Sequence, residues 1–139
     1  MADCTFLLNL RNDETSRQMS SNTKVIDKSE HLAWLESKLS DACCEIYIYE
    51  LAGNQVGMGR IDASQACSEK ILSWAIHRKF RGQGLGFSLV ANLVSKIPKG
   101  NLIAFIKPEN MASSKIASKL GFVQISTTDV LLKFKLEKR

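Results

Sequence analysis

The feature that most constrains this chain is a glycine turn set between a strand and a helix. Lys70 to Ile76 is apolar enough for a central strand, and Phe87 to Val94 is an apolar run that must pack as a helix on the sheet. Between them stands Arg81-Gly82-Gln83-Gly84-Leu85-Gly86. Glycines there permit backbone angles that other residues resist, and they remove side chains that would block an incoming phosphate. The helix that follows starts with unpaired N–H groups and a partial positive charge, which is an anion site in itself. Arg81 adds a charge-assisted hydrogen-bond donor. Two familiar nucleotide loops do not fit. A phosphate loop of the Walker type needs Gly-Lys-Ser/Thr, and Gly86-Phe87-Ser88 lacks the lysine. A dinucleotide fold carries its glycines in the first strand–helix unit, whereas here most of a small chain precedes them.

With 139 residues the chain suits one domain, 1–139, with a single sizeable core. Its 45% apolar and 24% charged content is that of a globular protein. No apolar run approaches the roughly 20 residues that cross a bilayer. Met1-Ala2-Asp3-Cys4 lacks the basic region and apolar stretch of a secretory leader. A cytoplasmic location with no membrane partner is expected. Cys4, Cys43, Cys44 and Cys67 form no C-x-x-C pair, and the histidines are His31 and His77 alone, so reduced thiols and no metal site are expected. The net charge of +5 suits an anionic partner, but the basic residues are scattered. Their densest group, His77-Arg78-Lys79-Phe80-Arg81, directly precedes the glycine turn. That favours phosphate binding at one place over coating a nucleic acid.

The remaining elements follow from periodicity and turn chemistry. Thr5 to Leu10 reads as a short first strand. A helix starts at Asp27 to Glu30, with Asp27 or Ser29 as cap, and turns Leu32, Leu35 and Leu39 to one face, with His31 and Trp34 at its edge. Glu45 to Leu51 alternates, Ile46 and Ile48 opposing Tyr47 and Tyr49, and Ala52-Gly53-Asn54 turns it into a second strand over Gln55 to Ile61. Gly57 and Gly59 in that strand mark a bulge or a close backbone approach. Leu102 to Ile106 is a covered strand, Asn110 to Leu120 a helix stopped at Gly121, and Phe122 to Ile125 and Val130 to Leu136 two closing strands. The expectation is a mixed α/β (α+β) domain: a central twisted mixed sheet of six to seven strands with helices on both faces.

At this point the sequence resembles the GCN5-related N-acetyltransferase (GNAT) superfamily. Its acetyl-CoA loop reads Arg/Gln-x-x-Gly-x-Gly/Ala between a central strand and a helix, as Arg81 to Gly86 does. A second family block is matched by Lys107-Pro108-Glu109-Asn110-Met111-Ala112-Ser113 and by Lys119-Leu120-Gly121-Phe122. The resemblance implies acetyl-CoA as co-substrate and direct transfer of acetyl to an amine in a ternary complex. It implies a cofactor site made of Arg81, Gly82, Gln83, Gly84, Leu85 and Gly86 around the pyrophosphate. Ala75 and Ile76 would pair with the pantetheine arm, and Asn110 would reach the same ligand. A backbone N–H near Ile76 would polarise the thioester oxygen. The tyrosine that many members use to protonate the leaving thiolate is replaced by Ala117, and Ser113, one turn earlier, is the stand-in. A glutamate common on the central strand is replaced near Ser73. His77, an imidazole directly after the strand end, is the candidate base, ahead of Glu69 and Asp62, because an unperturbed imidazole exchanges its proton near neutral pH.

Leu10-Arg11-Asn12-Asp13, Arg17 and Ser29 to Leu35 are similar to acetyltransferases acting on amino-sugar nucleotides in surface-polysaccharide and nonulosonic acid pathways; Val56-Gly57, Arg60 and Asp62 fit the same group. With such an acceptor, Arg11, Arg17 and Arg60 would meet the diphosphate, with Asn12 working beside Arg11, and Trp34 or Tyr47 would stack on the base or sugar. A nucleotide-linked sugar amine is then the expected acceptor, and a homodimer is compatible with it. The alternatives are acetylation of a protein or peptide N-terminal amine, and a non-catalytic acyl-CoA-binding domain, which the alanine at 117 would favour.

Overall fold

The computed structural model describes residues 3–19, 24–63, 69–127 and 130–138; Cys67 lies outside them. The chain opens with helices α1 (Cys4–Asn12), α2 (Glu14–Gln18) and α3 (Lys28–Leu39). Three strands follow, β1 (Cys44–Leu51), β2 (Asn54–Ala63) and β3 (Glu69–Ile76). Then come α4 (Leu85–Ser95), β4 (Gly100–Ile106), α5 (Met111–Lys119), β5 (Val123–Thr127) and β6 (Leu132–Lys138). Among the described residues no helix is long and apolar enough to cross a membrane.

The first expected strand is a helix. Cys4, Leu7 and Leu10 are its buried residues, and their spacing of three is the signature of one helical face rather than of a pleat. Asp27 caps α3 as expected, its carboxylate accepting the Glu30 N–H at 2.8 Å. The buried face of α3 differs in detail. His31 and Leu35, one turn apart, are buried, while Leu39 at the last turn stays 56% exposed.

The strands form one six-stranded mixed sheet in the order β1-β2-β3-β4-β6-β5. Neighbours run antiparallel except β3 and β4. Tyr47 and Tyr49 join the core beneath α4 and α5, built around Leu72, Leu89, Val90, Leu93, Leu102 and Phe134. Ile46, Ile48 and Met58 join the opposite core with Cys4, Leu7 and Leu35 of α1 and α3. Helices therefore cover both faces. The glycines of β2 mark a close approach: a Cβ on Gly57 would stand 2.6 Å from the Ala75 carbonyl oxygen, and one on Gly59 2.6 Å from Leu93 Cδ1. Helix α4 seats on β2 where Gly57 and Gly59 carry no side chain.

β3 and β4 pair only at their beginnings, from Glu69 opposite Asn101 to Ile71 opposite Ile103. Beyond Ile71 the ladder stops, and the two strands continue to Ile76 and Ile106 without pairing to each other. Their carboxyl ends thus form an open wedge, and the glycine turn sits at its rim. In open α/β sheets a ligand belongs at such carboxyl ends.

Candidate active site

The turn is shaped by two left-handed residues. Gly82 has φ 78° and Gly84 φ 77°, angles costly for residues with a side chain. A Cβ at either would meet no atom within 4 Å, so the space over the turn is open. Gly84 is the N-cap of α4 and supplies no side-chain cap. Among the described residues, no backbone hydrogen bond is donated by the N–H groups from Gly82 to Phe87; the first to donate is Ser88, to the Gly84 carbonyl at 3.3 Å. A run of unspent amides beside open space at a helix N-terminus has the chemistry to cradle an anion such as a phosphate. Gly86 has a different task. Its absent Cβ would stand 2.9 Å from Ile116 Cδ1, which lets α4 and α5 converge beneath the cradle.

Arg81 anchors the turn. Its Nε donates to the Ile76 carbonyl at 3.0 Å, and its Nη2 donates to Asp13 Oδ2 at 2.8 Å and to Ser16 Oγ at 3.2 Å. The guanidinium ties the end of β3, the turn and the α1–α2 junction together. The sequence marks Asp13 only as the end of Leu10-Arg11-Asn12-Asp13 and gives it no role of its own, because its partner is 68 positions away. Burial pushes the Asp13 carboxyl up, but the bond and charge of Arg81 and the Ser16 amide more than offset this and hold it below its ordinary value. On the far side of the wedge, Lys107 Nζ donates to the Gln18 carbonyl at 2.8 Å. Helix α2 is thus pinned across the wedge's mouth from both strands.

Inside the wedge, the Trp74 indole N–H donates to Ser113 Oγ at 3.1 Å, linking β3 to the first turn of α5. Asn110 is committed to the N-cap of that helix, its Oδ1 accepting the Ser113 N–H at 3.1 Å. Ala117 is wholly buried in the core beneath the sheet, so its position does not open into the wedge. Ala75 and Ile76 form the last rungs of β3, paired to Met58 and Gly57 on the β2 side.

His77 follows directly. Its backbone N–H donates to the Val56 carbonyl at 2.7 Å, and its Nδ1 accepts the Lys79 N–H at 3.2 Å. The ring stacks on Phe6 at 6.3 Å and meets the Phe80 edge at 6.0 Å. With Nδ1 accepting, the neutral ring carries its proton on Nε2. Glu69, at the opposite end of β3, lies roughly 23 Å from Ile76 along the strand. Asp62 pairs opposite Ile71 and is engaged by Arg60 at 2.7 Å and Lys38 at 3.4 Å. Those charges bring its carboxyl below the ordinary value although burial opposes the shift.

The residues expected to hold the acceptor divide into two places. Asn12 lines a cleft of about 350 Å³ with Asn9, Leu10, Asp13, His77 and Arg78, beside the cradle. Its side chain is also a strut: Nδ2 donates to the Ile26 carbonyl at 2.7 Å and Oδ1 accepts the Ile26 N–H at 2.8 Å. Arg11 is half-buried on the same helix, and burial, followed by the nearby Arg17, lowers its proton affinity. Trp34 and Arg60 lie elsewhere. The Arg60 guanidinium stacks 5.3 Å over the Trp34 ring, and Arg60 pairs opposite Ser73, three rungs back from Ile76. Neither lines the cleft.

The sequence matches the Acetyltransferase (GNAT) domain family over residues 2–123. The chain belongs to this family. It is an acetyltransferase with the mixed sheet and flanking helices of the GNAT fold. No curated protein matches the sequence. Solved structures extend the likeness over the whole fold. The ribosomal-protein-alanine N-acetyltransferase of Brucella melitensis is 23% identical with a TM-score of 0.81, covering 98% of this chain and 94% of that one. The yncA structure of Salmonella typhimurium, with its cofactor acetyl-CoA, is 21% identical with a TM-score of 0.77, over 98% and 88% of the two chains. Aminoglycoside acetyltransferase AAC(6')-Ib in complex with coenzyme A is 16% identical with a TM-score of 0.77, over 98% and 90%.

Proposed function

We propose that this GNAT domain is an acetyl-CoA-dependent N-acetyltransferase that acetylates a primary amine by direct attack in a ternary complex. The observation that carries the reading is the row of unspent amides from Gly82 to Phe87 around open space at the start of α4. Those amides suit a pyrophosphate, and yncA and AAC(6')-Ib, solved with acetyl-CoA and coenzyme A, share the fold. In this reading Arg81 holds the cradle's base, and Ile76 offers its backbone N–H on the open edge of β3 to the pantetheine arm; the Ala75 carbonyl and N–H face β2 instead, so Ala75 lines the site without pairing to the arm. A neutral amine is then set against the thioester carbonyl, and placement supplies most of the rate. Ser113 stands on the thioester side as a hydrogen-bond donor, and Asn110 orders the helix that carries it. His77 Nδ1 must give up the Lys79 amide before it can take a proton, so His77 acts as base only after a change in that turn.

The proposed acceptor is a small amine in the cleft beside the cradle. The C-terminal end of α1 and Asp13 suit the amine, and Arg78 suits an attached phosphate. An amino-sugar nucleotide is the first to test, because the N-terminal third resembles enzymes of that class. An N-terminal protein amine is the second, favoured by the likeness to the ribosomal-protein-alanine enzyme. Reduced Cys4, Cys43 and Cys44 suit the cytoplasm as the place of reaction.

The test has two parts. Calorimetry should show acetyl-CoA binding to the native protein and none to a folded Gly84→Glu variant, whose side chain places like charge over the cradle. Retained affinity in that variant refutes the site. Release of free thiol from acetyl-CoA, followed against amino-sugar nucleotides and N-terminal peptides, then selects the acceptor class.

A further inference from the structure

The mechanism above leaves Trp74 unused, yet it makes the only side-chain hydrogen bond among the described residues that joins β3 to α5. We propose that Trp74 is a positioning residue that turns the Ser113 hydroxyl proton toward the sulfur of acetyl-CoA. The proposal rests on the acetyl-CoA reading of the cradle.

A hydroxyl has one proton and two lone pairs. The Trp74 N–H occupies a lone pair of Ser113 Oγ at 3.1 Å, and Asn110 holds the Ser113 backbone N–H at 3.1 Å. The indole holds the hydroxyl oxygen, the Asn110 cap holds the backbone that carries it, and the hydroxyl proton is directed away from Trp74. Trp74 stands in the stretch where β3 has lost β4 as a partner, two residues back from Ile76. A pyrophosphate seated beyond Ile76 sends its attached arm down this open edge, because the ladder closes the wedge at Ile71. The thioester is thereby brought past Trp74 and toward Ser113.

The chemistry needs no full proton transfer from serine. The amine nitrogen bonds to the carbonyl carbon, the C–S bond breaks, and its electron pair stays on sulfur. The Ser113 O–H hydrogen-bonds that developing thiolate, and the proton lost by the amine goes to solvent or base. A donor fixed before charge develops stabilises the transition state without reorganising, and without the indole the hydroxyl turns freely among competing acceptors.

Trp74→Phe keeps the ring and removes the N–H. It should lower kcat about tenfold, the scale of one misdirected hydrogen bond, with KM for acetyl-CoA unchanged. Ser113→Ala should lose about as much, and the double variant should lose no more than Ser113→Ala alone. The thiol of bound coenzyme A, titrated by its thiolate absorbance, should have a depressed pKa in the native protein and lose that depression in both variants. A merely structural tryptophan would not move it. Benzothienylalanine at position 74, which replaces the indole N–H by sulfur, gives the same measurement should Trp74→Phe fail to fold. Multiplicative losses in the double variant, or a thiol pKa indifferent to position 74, overturn the proposal. A native protein that binds no coenzyme A at all instead overturns the acetyl-CoA reading and this proposal with it.

Discussion

His31 is a buried histidine at the meeting of α1 and α3, 3.8 Å from Cys4 Sγ and beside the Trp34 ring. Burial first, and the charge of Arg11 second, lower its pKa below the ordinary 6.5. The folded chain therefore takes up this proton less readily than the unfolded chain. His31 costs nothing above the unfolded value; stability falls as pH drops below about 6.5 and levels off once the folded histidine is protonated. Urea midpoints measured at about pH 7.5 and about pH 5.5 should separate in the native protein and draw together in His31→Gln. Equal separation in both would exclude His31 as the source. Asp13 follows the opposite logic. Its carboxylate contributes above the unfolded value of 3.8, and that contribution is lost as pH falls through the lower folded value. At neutral pH, Asp13→Asn should weaken the hold on Arg81 and raise KM for acetyl-CoA roughly tenfold, with a smaller effect on kcat. Unchanged steady-state constants would show that the cradle stands without this clamp. Neither Asp13 nor Trp74 was legible in the sequence, since each acts through a partner 68 or 39 positions away. The glycines were legible because a steric requirement is written at the position itself.

Elements show the same division between local and distant information. The β1–β2 hairpin, β3 and α4 were foreseeable because alternation, turn residues and a long apolar run are local signals. Helix α1 was misread as a strand because six residues of mixed apolar character satisfy either period, and the helical reading wins only where α3 and β2 offer a face for Cys4, Leu7 and Leu10. The seat of α4 on β2 was half legible. Gly57 and Gly59 signalled close approach, and the structure adds what approaches. The two glycines should respond differently to substitution. A Cβ at Gly59 would press on Leu93, a side chain able to turn aside, whereas at Gly57 it would press on the Ala75 carbonyl at 2.6 Å. Backbone cannot yield without breaking the ladder that carries the wedge. Gly57→Ala should destabilise the protein by roughly 3 kcal/mol and Gly59→Ala by about 1 kcal/mol. Denaturant unfolding decides it, and equal losses would mean that the sheet, not the helix, absorbs both.

At the scale of the whole molecule, the wedge is a gap in one sheet that two separate cores hold open. The core under α4 and α5 fixes the cradle and Ser113, and the core under α1 and α3 fixes the cleft. They communicate across the mouth through the Asp13–Arg81 pair and the Lys107–Gln18 bond. Ligand binding should therefore register on both sides of the sheet. In hydrogen exchange, acetyl-CoA should slow the amides from Gly82 to Phe87 most, because those N–H groups change from unspent to bonded. A weaker protection should spread into α1 and α2, which Arg81 ties to the cradle through Asp13 and Ser16. The strand β5, exposed at every position on the far edge, should not respond. Asp13→Asn separates the two effects: the cradle should remain protected on binding, and the response of α1 and α2 should disappear. If α1 and α2 still respond fully in that variant, the coupling runs through the sheet and not through the clamp. If the amides from Gly82 to Phe87 do not slow in the native protein, the anion is held somewhere other than the turn that most constrains this sequence.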